Sequence, residues 1–273
     1  MFDFVNRSAE LELICDASDP YLVLNIFGES GIGKTRLLDQ AFTQLTDARD
    51  MKAKVNLEDL TGSSLNQKAM EVIDLVLCAL QIRFNHLNDD PAAMAEALVD
   101  TIVGRNPGSR AYLFFDTTEV LQDDIEFWRW LEVHLVSRLV FEPDTRFVFA
   151  GRIPAPFSRI EIRRSLKLLH LQPLATGSES SDAWVIGEPA AGRELVVGIL
   201  KQQAPQWTED RLIQAADMVI EFSCGHPMLS EQLAVAIANL STQWAPAELR
   251  QLLARDLVKP FIENKLFENV EEP

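Results

Sequence analysis

The stretch that decides the fold is Tyr21-Leu22-Val23-Leu24-Asn25-Ile26-Phe27 followed by Gly28-Glu29-Ser30-Gly31-Ile32-Gly33-Lys34-Thr35. The first seven residues read as a buried strand. The next eight match the pattern G-x-x-x-x-G-K-[ST] without departure. A helix follows, with Leu37, Leu38, Ala41, Phe42 and Leu45 on one face, so strand, loop and helix stand in the order that phosphate binding needs. Glycines at 28, 31 and 33 let successive backbone N–H groups converge on one anion, and the helix N-terminus adds partial positive charge. The expected nucleotide contacts are Gly28, Ser30, Gly31, Ile32, Gly33, Lys34, Thr35 and Arg36. Lys34 is expected to bridge the β- and γ-phosphates, and the Thr35 hydroxyl to ligate Mg²⁺.

A loop of this kind needs a second strand ending in an acid to hold the magnesium shell, and Ala111-Tyr112-Leu113-Phe114-Phe115-Asp116 supplies it. Asp116 is therefore expected to be the second metal residue. Three positions on, Glu119 is placed either to activate the attacking water as a general base or to sit as a solvated acid at a helix start. The strand Arg146 to Ala150 runs into Gly151-Arg152. An arginine at the C-terminal edge of a parallel strand faces the crevice where open α/β sheets bind ligands, so Arg152 reads either as a γ-phosphate sensor or as half of a surface ion pair.

Strand-like runs at Leu22–Phe27, Lys54–Leu57, Ala111–Phe115, Arg146–Ala150 and Leu166–Leu171 alternate with helix-length segments. That alternation predicts an α/β three-layer sandwich around a mostly parallel sheet, over residues 1–172. A Gly- and Ser-containing linker follows at 173–189, then a small helical domain at 190–258. In that domain Thr208 is expected to cap a helix with Leu212, Ala216, Val219 and Phe222 on one face, ended by Gly225. Pro227 opens the next helix, with Leu229, Leu233, Ile237 and Leu240 along one stripe, and 246–257 offers a third.

With 273 residues and 47% hydrophobic content the chain can bury a substantial core. Its apolar runs fall far short of the roughly 20 residues that span a bilayer, so a soluble, cytoplasmic protein without membrane contact is expected. A formal charge of −16 repels a phosphate backbone and argues against direct nucleic-acid binding. Cys15, Cys78 and Cys224 stand far apart with no CxxC pair and read as buried, reduced thiols. No Asn-Lys-x-Asp run is present to read guanine, since Asn264-Lys265 is followed by Leu266-Phe267, which leaves ATP or ADP as the expected ligand.

Four features together resemble the STAND class of P-loop ATPases, the group of NB-ARC and NACHT switch proteins: Phe4-Val5-Asn6-Arg7 with Glu10-Leu11, the loop Gly28 to Thr35, Asp116-Thr117-Thr118-Glu119, and Cys224-Gly225-His226-Pro227-Met228-Leu229. The resemblance implies that Val5 and Arg7 lie beside the adenine, that Pro227 caps the base or ribose, and that Arg152 is the arginine the class carries after this strand. It implies a slow, Mg²⁺-dependent ATPase switch within a larger signalling or defence protein, with residues 259–273 starting a winged-helix domain. Protein partners or self-association would act through domains outside this chain. The alternative is an AAA+ oligomeric ATPase acting on protein or nucleic acid. Thr117 stands where that family has a second acid, so the base cannot be assigned to the adjacent position.

Overall fold

The computed structural model describes residues 7–16, 21–82, 90–105, 108–174, 191–240, 250–251 and 253–259. Val5, nearly all of the expected linker and all but residue 259 of the further-domain start expected at 259–273 lie outside the described residues. Five strands form one sheet: β1 (Val23–Phe27), β2 (Met51–Asn56), β3 (Ala111–Asp116), β4 (Thr145–Gly151) and β5 (Leu166–His170). All neighbours run parallel, in the order β2-β3-β4-β1-β5. The expected strands are all present, and β2 begins three residues earlier than its apolar run, at Met51. Lys52 hides that start: its charge breaks the apolar pattern, although its ammonium is held by the Phe42 and Leu45 carbonyls at the end of α2.

Parallel strands need crossovers, and helices supply them. α1 (Ser8–Cys15) precedes the sheet, and α2 (Lys34–Gln44) joins β1 to β2. α3 (Leu65–Ala79) and α4 (Pro91–Val103) lead to β3. α3 opens with a reciprocal capping box between Ser64 and Gln67, and α4 with Pro91 after the Asp90 cap. Beyond β3, α5 (Ile125–Leu131), a π turn at Glu132–Val136 and α6 (Ser137–Leu139) form one continuous helical stretch, and α7 (Ile160–Arg164) precedes β5. The central strands β3 and β4 are buried at every position, as expected of a sheet covered on both faces. Phe115 and Phe149 stack at 4.9 Å across them, and the buried Trp128 donates its indole N–H to the Leu121 carbonyl at 2.8 Å.

The contacts divide the chain into two compact units. One holds Glu10–Gly28 and Lys34–His170; the other holds Met1–Ala9, Glu29–Gly33 and Leu171–Pro273. In the second, α8 (Ala191–Gln203), α9 (Glu209–Ser223) and α10 (Pro227–Ala238) bury Leu195, Ile199, Leu212, Val219, Leu233 and Ile237 in a core of their own. Thr208 occupies the N-cap of α9 but makes no side-chain cap bond. α9 ends at Ser223, two residues before the glycine expected to stop it: Cys224 takes the left-handed cap at φ 49°, and Gly225 follows at φ 76°. Two successive left-handed residues turn the chain sharply enough for Pro227 to start α10 at once. The expected third helix lies outside the description up to residue 249; from Leu253 to Val258 the chain forms a π turn.

The cysteines depart from expectation. Cys78 and Cys224 are exposed and Cys15 is partly buried; all three are free thiols. Cys78 faces outward on α3 and Cys224 sits in the turn after α9, so neither is drawn into a core. No helix among the described residues is long and apolar enough to cross a membrane.

Candidate nucleotide-binding site

The phosphate-binding loop leaves the end of β1 and enters α2, as its pattern requires. Gly31 and Gly33 take φ of 75° and 100°, values that L side chains rarely adopt. Lys34, only 9% exposed, folds its ammonium back over the loop and donates to the Gly28 carbonyl at 2.7 Å. This posture points the charge at the loop backbone rather than into solvent. Thr35 and Arg36 continue the first turn of α2.

At the C-terminal edge of the sheet, β4 lies between β1 and β3, so the residue following β4 falls between the ends of the other two. Asp116 ends β3 and is nearly buried; one carboxylate oxygen accepts the Thr117 N–H at 3.0 Å and the other lies 3.7 Å from Lys54 Nζ. Thr117 itself is left-handed, φ 57° and ψ 45°, an uncommon conformation for a β-branched residue that marks a constrained turn. The turn brings Glu119 against the end of β4. Its Oε2 accepts the Arg152 backbone N–H at 3.1 Å, and its Oε1 lies 3.5 Å from Arg152 Nε. The two residues expected to act on the γ-phosphate are therefore joined to each other.

Gly151 makes that joint possible. A β-carbon there would fall 2.0 Å from Thr118 Oγ1 and 3.1 Å from Glu119 Oε2. Thr118 is 2% exposed, and its hydroxyl has no hydrogen-bond partner among the described residues. Behind the site, the buried Glu132 in the π turn accepts the backbone N–H groups of Ser158 and Arg159 and the Ser158 hydroxyl. It anchors the segment that continues from Arg152. Sequence reasoning missed both devices; a lone acid inside the apolar helix Phe127–Leu139 was the available signal for the second.

The other unit carries the tip of the loop. Arg7 is 6% exposed and donates to the Ile32 carbonyl at 3.1 Å and the Gln172 carbonyl at 2.8 Å. The guanidinium expected beside an adenine thus braces the loop backbone. His226, the N-cap of α10, accepts the Leu229 N–H on Nδ1. That acceptor role leaves the proton on Nε2, which donates to the Ser30 carbonyl at 2.9 Å. The Met228 N–H donates to the Gly31 carbonyl at 3.3 Å, and a β-carbon on Gly31 would lie 2.8 Å from the Met228 side chain. Pro227 sits buried between these two contacts. The sequence treated His226 only as the spacer of a Gly-x-Pro turn.

Oxygen donors suit a hard cation, and the Thr35 hydroxyl and the Asp116 carboxylate are both donors of that kind. Among the described residues no cluster of three or more His, Cys, Asp or Glu side chains could hold a metal alone. Two such donors would need further oxygens, such as those of a bound phosphate, to hold a cation.

Comparison with solved structures follows the same line. The chain is similar to the structure of Drosophila ORC bound to DNA, with TM-score 0.59 and 17% identity over 97% of this chain and 68% of that one. It is similar to domain III of the Thermotoga maritima replication initiation protein DnaA, with TM-score 0.53 and 18% identity over 93% and 91%. The Aeropyrum pernix ORC2 protein in its ADP form gives TM-score 0.57 and 15% identity over 100% and 72%. The chain has the P-loop NTPase fold. These P-loop NTPase neighbours are AAA+ ATPases, so the likeness does not single out the STAND class. No family model matches the chain, and no curated protein matches it in sequence.

Proposed function

We propose that this chain is an adenine-nucleotide-binding ATPase module of the AAA+ type that works on protein partners or on further copies of itself. The observation that carries the reading is the arrangement along one sheet edge: Gly28 after the end of β1 with Lys34 folded over it, Asp116 at the end of β3, and Arg152 at the end of the strand between them. An arginine so placed is suited to stabilise charge on a terminal phosphoryl group. Lys34 and the loop N–H groups would hold the β- and γ-phosphates, while Thr35 and Asp116 would hold Mg²⁺, which when bound neutralises charge on the phosphate oxygens. Glu119, paired with Arg152, would orient the attacking water once that pair opens, which makes hydrolysis slow. The nucleotide-binding domain would run to about residue 172 and the helical domain from 190. The adenine preference draws on the ADP-bound neighbour and on the absence of a guanine-reading run. One neighbour is bound to DNA, but the charge of −16 favours a protein partner here.

A second reading, a two-state switch of the STAND kind, is favoured by one observation. Ser30 and Gly31 are hydrogen-bonded to His226 and to the Met228 N–H, so a change in the loop tip is felt directly at the start of α10. Nucleotide state would then bias the helical bundle.

The test is direct. The purified protein is expected to bind a fluorescent ATP analogue with Mg²⁺, to prefer it over the GTP analogue, and to lose it in Lys34→Ala. Equal binding by Lys34→Ala, or no binding by the wild type, refutes the nucleotide reading. Sedimentation with and without ATP separates the two forms: ATP-driven assembly supports the AAA+ module, and a monomer at all concentrations supports the switch.

A further inference from the structure

β2 carries two lysines on the side that faces α2, and they do different things. Lys52 caps the helix: its ammonium donates to the Phe42 and Leu45 carbonyls at 2.8 and 2.9 Å and lies over the Phe42 ring. Lys54, two residues nearer the C-terminal edge of the sheet, is hydrogen-bonded to Asp39, one turn into α2 beyond Thr35, and lies 3.7 Å from Asp116 Oδ2. Asp39 is 60% exposed and Asp116 only 5%. The ammonium therefore stands between a solvated carboxylate and the buried one assigned to the metal shell. A lysine needed only for surface pairing would have been satisfied by Asp39 alone.

We propose that Lys54 is a positioning residue that sets how strongly nucleotide binding depends on Mg²⁺. This inference rests on the nucleotide reading above and assigns a role to a residue that the phosphate-binding motifs do not contain. The ammonium offsets the negative charge of Asp116. Without it, that carboxylate would repel the triphosphate when no divalent cation is present, and would attract the cation more strongly when it is. Lys54 thus supports metal-free binding and weakens the gain on adding metal. Asp39 acts in the opposite sense, because it draws part of the Lys54 charge away from Asp116.

The experiment measures the dissociation constant of a fluorescent ATP analogue with Mg²⁺ and with EDTA, and takes the ratio as the magnesium gain. One unit charge at this distance in a partly buried site corresponds to roughly a tenfold change. Lys54→Met is expected to raise the gain about tenfold, and Lys54→Arg to keep it near the wild-type value. Asp39→Asn, at an exposed position that leaves the core untouched, is expected to lower it about threefold, the smaller effect reflecting solvent screening. An unchanged gain in Lys54→Met, or a gain that Asp39→Asn raises, overturns the proposal. Should Lys54→Met fail to fold, the sign of the Asp39→Asn effect decides alone. A wild-type protein that binds no nucleotide under either condition removes the nucleotide reading, and this inference with it; that outcome is distinct from binding with an indifferent magnesium gain.

Discussion

Substituting Gly151 by alanine tests the geometry that joins the two strand ends at the site. The new β-carbon would lie 2.0 Å from Thr118 Oγ1, 3.1 Å from Glu119 Oε2 and 3.2 Å from the Ile153 carbonyl. The optimum separation of packed carbon atoms is about 3.5–4 Å, so the first contact is a hard overlap. Thr118 cannot swing away into solvent, because it is 2% exposed and follows the left-handed Thr117 in a tight turn. Overpacking of this kind costs typically ~1–3 kcal/mol, and a buried neighbour places it near ~3. At roughly 2–4 °C per kcal/mol for domains of about 150–250 residues, the melting temperature should fall by roughly 6–12 °C.

The companion variant makes the reasoning refutable. Thr118→Ala removes the overlapping atom, together with a buried hydroxyl that has no partner among the described residues. Alone it should stay within about 1 kcal/mol of wild type, because loss of the unsatisfied hydroxyl offsets loss of packing. Combined with Gly151→Ala it should recover about 2 kcal/mol, read as the coupling in a double-mutant cycle by urea denaturation. A Gly151→Ala protein as stable as wild type, or one that Thr118→Ala does not rescue, would show that β4 does not pack on the Asp116–Glu119 turn in this way. The pairing of Glu119 with Arg152 would then lose its support.

Three further outcomes follow from the same coordinates. Glu132→Ala should cost about 3 kcal/mol in urea denaturation, since the donors of Ser158 and Arg159 lose a charged acceptor, while Glu132→Gln, which keeps one carbonyl, should cost less. A thiol reagent at mildly alkaline pH should label Cys78 and Cys224 quickly and Cys15 slowly, because burial pushes the Cys15 thiol up against the opposing pull of Arg146; equal rates at all three would refute it. Burial opposes ionisation of Asp124, yet the Lys68 ammonium at 2.6 Å and the Phe127 N–H overcome it and hold the carboxyl below its ordinary value. A depressed carboxylate contributes stability above its unfolded pKa of about 3.9, and that contribution is lost as pH falls through the lower folded value. Lys68→Met should therefore flatten the acid limb of a stability–pH curve, and an unchanged limb would remove Lys68 as the cause.

Most of the sheet was legible because parallel strands buried on both faces leave a plain mark. Val23 to Phe27, Ala111 to Phe115 and Arg146 to Ala150 are nearly unbroken apolar runs, and the loop pattern marked which of them leads into the glycine-rich loop. The edge strand β2 was read short, since Lys52 performs a task that no periodicity encodes: it caps the end of a helix. The cysteines were misread for a related reason. Chemical type predicts burial only on average, and an outward helix position or a helix cap overrides it.

The candidate site was legible where its residues occupy motif positions, and illegible where side chains act on one another. Gly28 to Thr35 and Asp116 are recognisable one by one. The Glu119–Arg152 pair, the Gly151 approach and the Glu132 anchor each join residues 26 to 33 positions apart, and nothing local in the chain requires either partner. His226 shows the same limit more sharply. As a sequence position it is a spacer before Pro227; in the folded chain its two ring nitrogens face opposite directions, one capping α10 and one holding the Ser30 carbonyl. A single neutral imidazole can do both only with the proton on Nε2. The connection between loop tip and helical bundle is thus carried by a tautomer, a feature that neither motif nor hydrophobic pattern contains.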